Sequence, residues 1–359
     1  MESYLAETNK QINIPYLLKI GTGKVLKIGR YLSDKSMNKI ALFLGNGVEE
    51  LVGDKLFQGI NKYKIEILHK QIVDNIKVED ITLTAFNLSP QVSAIVGIGG
   101  GKALDFAKYS AYLLKIPFIS VPTAMSNDGF CSPTSSLTVS RKRKSVKSNI
   151  PYGVVIDLDI INSNPESFLY SGIGDMASKI TALWDWKTAN LKGFERFNDF
   201  SSLLAYNSLD LLFLKHSSDI HDVNFQRSLA NSLLTSGISM EIAGSSRPAS
   251  GSEHLISHAL DEISETPKMH GIQVGVSAYL CALLQENPNI DELKSILVST
   301  GFFDFVKKDP FNKKEYMKAL ELAPAIKQDY YTILSEKDYL AKAEQFINND
   351  ELLKQVIVG

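Results

Sequence analysis

Short runs of apolar, β-branched residues recur through the first half of the chain: YLLKIG (16–21), KIALFLG (39–45), KIEILH (64–69), SAIVGIG (93–99) and PFISVP (117–122). Between them lie stretches of helical period, among them VEELVGDKLFQGI (48–60) and KALDFAKYSAYLLK (102–115). Continuous apolar strands separated by amphipathic helices predict a parallel sheet covered on both faces. SSLTVSRKRKSVKS (135–148) reads as two short strands about a basic turn, and YGVVIDLDII (152–161) as the last strong strand. The pattern then changes. In the following segment Asn164 is placed to cap a helix and Pro165 to occupy its first position. From there to residue 359 the period is helical almost throughout, with short loops. The expected organisation is a Rossmann-like α/β domain over 1–162 followed by an all-helical domain over 163–359.

Length agrees with that division, because 359 residues exceed the size at which one hydrophobic core usually stops growing. A net charge of −2 provides no field for gathering nucleic acid or anionic membrane. The RKRK run (141–144) lacks interleaved aromatics and reads as a solvated hairpin turn. Two distant cysteines, Cys131 and Cys281, form neither a disulfide framework nor a thiolate zinc site. The N-terminal MESYLAETNKQ has no apolar signal core, and no apolar run is long enough for a membrane span. A cytoplasmic protein is expected, without nucleic-acid partners or membrane insertion. The apolar helix 271–285 serves either core or a subunit interface, and a homo-oligomer is expected.

Two loops carry the first candidate chemistry. VGIGGGKALDFAK (96–108) runs strand, glycine-rich turn, helix. Gly99, Gly100 and Gly101 let a ligand approach the main chain, and the helix start offers N–H groups to an anion such as a pyrophosphate. The spacing is neither GxGxxG nor a Walker loop, and a tight βα turn without a ligand would read the same. PTAMSNDGFCSP (122–133) follows the next strand, and ligands of open parallel sheets bind at strand carboxyl ends. Thr123, Ser126 and Ser132 supply hydroxyls there. Asp128 supplies a carboxylate, although Asn-Asp-Gly also serves as a plain turn.

Three of the six histidines fall within residues 254–270. His254 and His258 share one helix face, and His270 precedes Gly271. Asp175 follows a glycine in GIGDMASKI (172–180). One carboxylate with two imidazoles would leave a coordination position open for substrate oxygen. That donor mixture suits one divalent ion: zinc first, then iron or nickel. The competing reading is that the histidines simply cover a helix surface.

GGGKALD, PTAMSNDG, GIGDMASK, SGSEHLISHAL and HGIQVG, in this order, resemble the superfamily of dehydroquinate synthase-like and iron-containing alcohol dehydrogenase-like proteins. Within it, SVPTAMSNDGFCSP and SSRPASGSEHLISHAL are most similar to the sn-glycerol-1-phosphate dehydrogenase family. The resemblance spans nearly the whole chain. It implies the dehydroquinate synthase-like fold, with metal ligands at Asp175, His254 and His270. Gly99, Gly100, Gly101, Lys102 and Asp105 would hold the pyrophosphate of NAD or NADP, and Thr123, Ser126 and Ser132 would line the nicotinamide side. Asp128 takes the role of a substrate-binding aspartate, and His258 contacts substrate. The chain departs from the family pattern at Asn127, where histidine is common, and at Met125, where a smaller residue is usual.

The expected reaction is metal-dependent hydride transfer between a nicotinamide cofactor and the secondary alcohol of glycerol-1-phosphate, or in reverse the ketone of dihydroxyacetone phosphate. The alternatives are an unphosphorylated polyol or alcohol, as in glycerol dehydrogenase, and a dehydroquinate synthase-like cyclising lyase. The lyase needs a cationic cluster that this arginine-poor chain does not display. Arg247, in the loop before the first histidine, is the candidate phosphate contact, with Lys179 as second choice. Asn46 stands at the turn after KIALFLG, where a carboxylate would repel a 2′-phosphate, so both NAD and NADP are expected to be accepted.

Overall fold

The structure is a computed structural model that describes residues 12–140, 142–213 and 219–359. The N-terminal MESYLAETNKQ and Arg141 of the basic run lie outside the described residues. The chain divides into two compact units: the described residues up to Thr123 with Gly129–Asp157, and Ala124–Asp128 with Leu158–Gly359.

The first unit holds β1 (Leu17–Gly21), α1 (Ile28–Ser33), β2 (Lys39–Gly45), α2 (Val48–Lys62), β3 (Glu66–Val73), α3 (Val78–Asn87), β4 (Ala94–Gly99), α4 (Gly101–Leu114) and β5 (Phe118–Pro122). The hairpin β6 (Thr134–Val139) and β7 (Lys142–Lys147) follows, then β8 (Gly153–Asp157). Six strands form one parallel sheet in the order β1-β8-β5-β4-β2-β3. The residues Ile40–Leu44 and Ala94–Gly99 are buried throughout, as strands covered on both faces require. β2 pairs with β3 on one side and β4 on the other. The chain therefore reverses its direction of sheet growth beside β2, and the loops after β2 and β4 flank that switch point. Open α/β sheets bind their ligands in such a crevice.

Three sequence expectations shift here. The apolar run 152–161 ends as a strand at Asp157, because its partner β1 ends at Gly21, opposite Asp157 in register. Residues Leu158–Asn162 turn into a short helix, α5. Lys142, Arg143 and Lys144 lie along β7 rather than at a turn tip, and Arg143 Nε donates to Ser136 Oγ across the hairpin at 2.8 Å. Asn164 does not cap the next helix. Its amide donates to the Ile160 carbonyl at 3.1 Å, closing α5, and the long helix starts after Pro165, at Ser167.

The second unit is helical: α6 (Ser167–Leu191), α7 (Asp199–Phe213), α8 (Val223–Ala243), α9 (Ser252–Ile263), α10 (His270–Leu284), α11 (Ile290–Ser299), α12 (Phe302–Lys307), α13 (Lys313–Ile326), α14 (Tyr339–Asn349) and α15 (Leu353–Val356). Its strands are the two-residue β9 (Phe311–Asn312) and β10 (Ile357–Val358). α6 is the hub, packed on α7, α8, α9, α10, α11 and α12.

Glycines let backbones touch around that hub. A Cβ on Gly174 would stand 2.0 Å from the Gly271 carbonyl oxygen, and one on Gly271 would stand 1.8 Å from that of Ser171. A Cβ on Gly275 would meet Gly174 Cα at 2.8 Å. The same exclusion at Gly172, 2.2 Å from the Met125 carbonyl oxygen, seats residues 124–128 on α6. Ser171 joins these approaches: its hydroxyl accepts from Gly271 N at 3.1 Å and donates to the Ser126 carbonyl at 2.9 Å. Backbone atoms cannot swing aside as side chains do, so overpacking here forces the helices apart. Gly271→Ala is expected to cost about 3 kcal/mol or more of unfolding free energy. Gly101→Ala, where a Cβ meets nothing within 4 Å, should cost less than about 0.5 kcal/mol. Chemical denaturation of both variants checks this, and equal midpoints would contradict it.

Candidate metal and substrate site

The helix contacts just described place the candidate ligands. Asp175 is adjacent to Gly174 on α6, and His270 is the first residue of α10, adjacent to Gly271. His254 lies one turn into α9, whose N-cap Gly251 sits where a Cβ would be 2.8 Å from Ala182 Cα of α6. One donor atom from each of Asp175, His254 and His270 lies within 4.8 Å of the others. Nε2 of His254 is 3.7 Å and Nε2 of His270 is 3.9 Å from Asp175 Oδ1. Donors ~2.1 Å from one ion at tetrahedral angles would be about 3.4 Å apart, so the set fits a divalent ion with slight contraction.

The outer nitrogens are already committed. Nδ1 of His254 bonds Glu253 Oε1 at 2.8 Å. That carboxylate is fully buried and also accepts from Gly251 N at 2.6 Å and, through Oε2, from Thr181 Oγ1 at 2.8 Å. Nδ1 of His270 lies 3.1 Å from Ser257 Oγ, whose own proton goes to Gln273 Oε1 at 3.0 Å. The Gln273 amide donates to Asp261 Oδ1 at 3.0 Å and the Lys268 carbonyl at 2.7 Å, which fixes its orientation. Ser257 must therefore accept from His270. Both imidazoles carry their proton on Nδ1 and turn Nε2 toward Asp175, as metal-binding histidines do.

Charges are arranged around this largely buried centre. Lys179, one turn beyond Asp175, is wholly buried. Its Nζ stands 3.1 Å from Asp128 Oδ2 and 3.4 Å from Asp175 Oδ2, and donates to the Asp175 carbonyl at 2.9 Å. Burial alone would lift the Asp128 pKa, but Lys179 and the Ser236 hydroxyl, 2.7 Å from Oδ2, hold it below the ordinary value. Asp175 is pushed up to about 7, first by burial and, against the pull of Lys179, by its neighbour Asp128. Burial and the Lys179 charge lower His254 to about 3, so it is neutral and ready to ligate near pH 7. Burial and the neighbouring histidines lower His270 well below its usual value.

Asp128 thus meets Asp175 in the second unit, with its own N–H donating to Asp175 Oδ2 at 3.1 Å. His258 is exposed on α9, its ring 5.9 Å from that of His270 and 6.4 Å from that of His254. Ser126 is held through its carbonyl by Ser171. In the first unit, a Cβ on Gly100 or Gly101 would meet nothing within 4 Å, and Lys102 is exposed, so the turn after β4 presents bare main chain. Gly99 has φ +149. Its carbonyl accepts from Thr123 N at 3.0 Å, linking the two loops.

Asp105 and Ser132, both expected as cofactor contacts, are engaged by other protein groups. Asp105 is buried, pairs with Lys108 at 3.4 Å and accepts from Ser136 N at 3.2 Å, which fastens α4 to the hairpin. Ser132, also buried, accepts from Lys108 Nζ at 3.2 Å and donates to the Thr134 carbonyl at 3.0 Å.

The two expected phosphate contacts, Arg247 and Lys179, are also engaged by protein groups. Arg247 is 1% exposed, pairs with Glu195, donates to the Tyr331 carbonyl at 2.8 Å and stacks on Tyr330. Lys179 is enclosed by carboxylates.

Glu253, Ser257, Gln273 and Ser236 escaped the sequence reading. Their one visible signal was polarity on otherwise apolar helical faces. Glu253→Gln keeps the shape but not the charge behind His254, and should weaken zinc binding about 10- to 100-fold. Competition with a chromophoric chelator measures this, and an unaltered affinity would contradict the orienting role.

Comparison with known proteins gives the family and the fold. The family model described as iron-containing alcohol dehydrogenase matches residues 19–165. The glycerol-1-phosphate dehydrogenase (NAD(P)+) of Metallosphaera sedula is 35% identical over 337 residues, covering 91% of this chain and 93% of that protein. That of Methanosphaera stadtmanae is 31% identical, covering 94% and 97%. Among solved structures, glycerol dehydrogenase from Schizosaccharomyces pombe superposes with a TM-score of 0.77 at 20% identity, over 95% of this chain and 90% of that one. Sulfoacetaldehyde reductase from Bifidobacterium kashiwanohense, solved with NAD+, gives 0.69 at 14% identity, over 95% and 99%. These likenesses establish the expected fold, and at the identity and coverage shared with the sequence relatives the chain belongs to the glycerol-1-phosphate dehydrogenase family.

Proposed function

We propose that this protein reduces dihydroxyacetone phosphate to glycerol-1-phosphate with NADH or NADPH, using one divalent ion, zinc by preference over iron or nickel. The observation that carries the reading is the convergence of Asp175, His254 and His270, each Nε2 presented by a bonded Nδ1. When bound, the ion supplies Lewis-acid polarisation of the substrate oxygen and the nicotinamide supplies hydride.

The chain's own residues do the rest. Asp128, kept ionised by Lys179 and Ser236, accepts a hydrogen bond from a substrate hydroxyl and orients the carbon skeleton. His258, exposed beside both ligand rings, passes a proton inward as the ketone oxygen becomes a hydroxyl. The bare turn at Gly99, Gly100, Gly101 and Lys102 receives the cofactor pyrophosphate at the start of α4. Thr123 and Ser126 are assigned to the nicotinamide side. Among the described residues no helix is long and apolar enough to cross a membrane.

NADH oxidation with dihydroxyacetone phosphate should exceed that with dihydroxyacetone. It should vanish after chelation and return with added zinc. Turnover of only the unphosphorylated ketone would move the protein to glycerol dehydrogenase chemistry. Asn46 is exposed after β2, and the next acid in sequence, Glu49, is tied to Lys70 at 2.9 Å. Initial rates with NADPH and NADH are accordingly expected within about tenfold of each other, since no carboxylate repels a 2′-phosphate there. A preference for NADH above about a hundredfold would contradict that expectation.

A further inference from the structure

A phosphorylated substrate needs a cation that Arg247 and Lys179 cannot supply, since carboxylates already claim both. Lys327 is a further cation, and its charge is felt at His254. Lys327 immediately follows α13 in extended conformation, with φ −137 and ψ 114. Its Nζ lies 3.6 Å from the centroid of the Tyr330 ring. The Arg247 guanidinium lies 3.4 Å from the same centroid. Tyr330 is buried, and its hydroxyl donates to the carbonyl of Ser250, next to the Gly251 that begins the His254 helix. The ring therefore ties Lys327 to the loop that carries the metal ligand.

Charge is unbalanced at this point. Arg247 has Glu195 as its partner. Among the described residues, no carboxylate oxygen comes within the 4.0 Å of an ion pair to Lys327. Arg247 also keeps a buried Nη2 without a hydrogen-bond partner among those residues. The two cations share one aromatic ring, and Lys327, exposed at the surface, is left available to an anion from solution. The field reaches both ways: partial desolvation and Arg247, opposed by Glu195, lower the pKa of Lys327, which stays exposed at the surface, and the Lys327 charge contributes to the lowering at His254.

We propose that Lys327 receives the phosphate of a three-carbon phosphorylated substrate, with Tyr330 and Arg247 holding its ammonium group toward the ligand cluster. The assignment rests on the reading of the protein as a glycerol-1-phosphate dehydrogenase, which it deepens by naming the residue that selects for phosphate. Arg247 acts from behind the ring as a positioning residue. The substrate's unphosphorylated end would lie toward Asp128.

The test is the ratio of kcat/KM for dihydroxyacetone phosphate to that for dihydroxyacetone, measured on zinc-loaded Lys327→Met and Lys327→Arg. Losing one charge-assisted contact should lower the ratio about 10- to 100-fold in K327M, with the loss carried by KM. K327R should restore most of it. Inorganic phosphate should inhibit the wild type competitively against dihydroxyacetone, and K327M should lose that inhibition. The KM for NADPH relative to NADH separates the two sources of phosphate and should move less than about twofold, since a lost contact to the 2′-phosphate would raise it by the same factor as above. A retained ratio in K327M, an equal fall for both ketones, or a rise confined to the KM for NADPH would overturn the assignment of Lys327. A wild type that reduces only dihydroxyacetone would overturn the parent reading, and this one with it.

Discussion

Everything at the candidate site depends on how closely helix α6 lets its neighbours approach. A Cβ on Gly174, Gly271 or Gly275 would clash with the facing backbone, so α6 and α10 touch main chain to main chain. Asp175 and His270 each follow or precede one of these glycines, and their separation is set by that contact. Gly172 does the same for residues 124–128, and Gly251 for the start of α9. A side chain anywhere in this set would add a methyl group's thickness between elements. The donors would then be too far apart for one ion with bonds of ~2.1 Å.

The short distances force a second arrangement, because they concentrate charge where water is excluded. Two carboxylates, Asp128 and Asp175, are linked through an Asp128 N–H and share one buried ammonium, Lys179. Without that ammonium, burial would favour protonated carboxyls, and Asp128 would become a weaker acceptor for a hydroxyl. Asp175 turns Oδ1 to the two imidazoles and Oδ2 to Lys179, and a divalent ion held by Asp175, His254 and His270 would add to the balance. The imidazoles are kept neutral by burial, so they need shed no proton to ligate near pH 7. Glu253 behind His254 and the Ser257–Gln273 relay behind His270 hold the same tautomer by different means. The carboxylate strengthens its imidazole as a donor more than the hydroxyl does.

Much of this was visible in the sequence. β2 begins and ends where the KIALFLG run does, and α4 follows the glycine turn as its pattern required. Asp175, His254 and His270 stood out through residue type and the adjoining glycines. What stayed hidden depends on partners distant in the chain. Nothing near residue 157 announces that β1 stops opposite it, so the apolar run to 161 looked like continuing strand. Asn164 has the chemistry of a cap, yet Ile160 behind it offers a carbonyl in reach. Arg247 looked available because Glu195 and Tyr330 lie far away in sequence. Asp105, in the first helix after the glycine turn, and Ser132, in a loop of the right composition, are both drawn inward by Lys108. Local pattern specifies element type and donor chemistry, whereas the direction of a polar side chain is decided by tertiary contacts.

The central claim is that one carboxylate and two imidazoles, brought together by glycine contacts, hold a single divalent ion. X-ray absorption at the zinc edge of the zinc-loaded protein tests it most directly. The account predicts one zinc per chain, a nitrogen and oxygen shell at ~2.0–2.1 Å, and outer-shell scattering from two imidazoles. A shell containing sulfur, scattering from fewer than two imidazoles, or the same spectrum from Asp175→Ala and His270→Ala variants would contradict it.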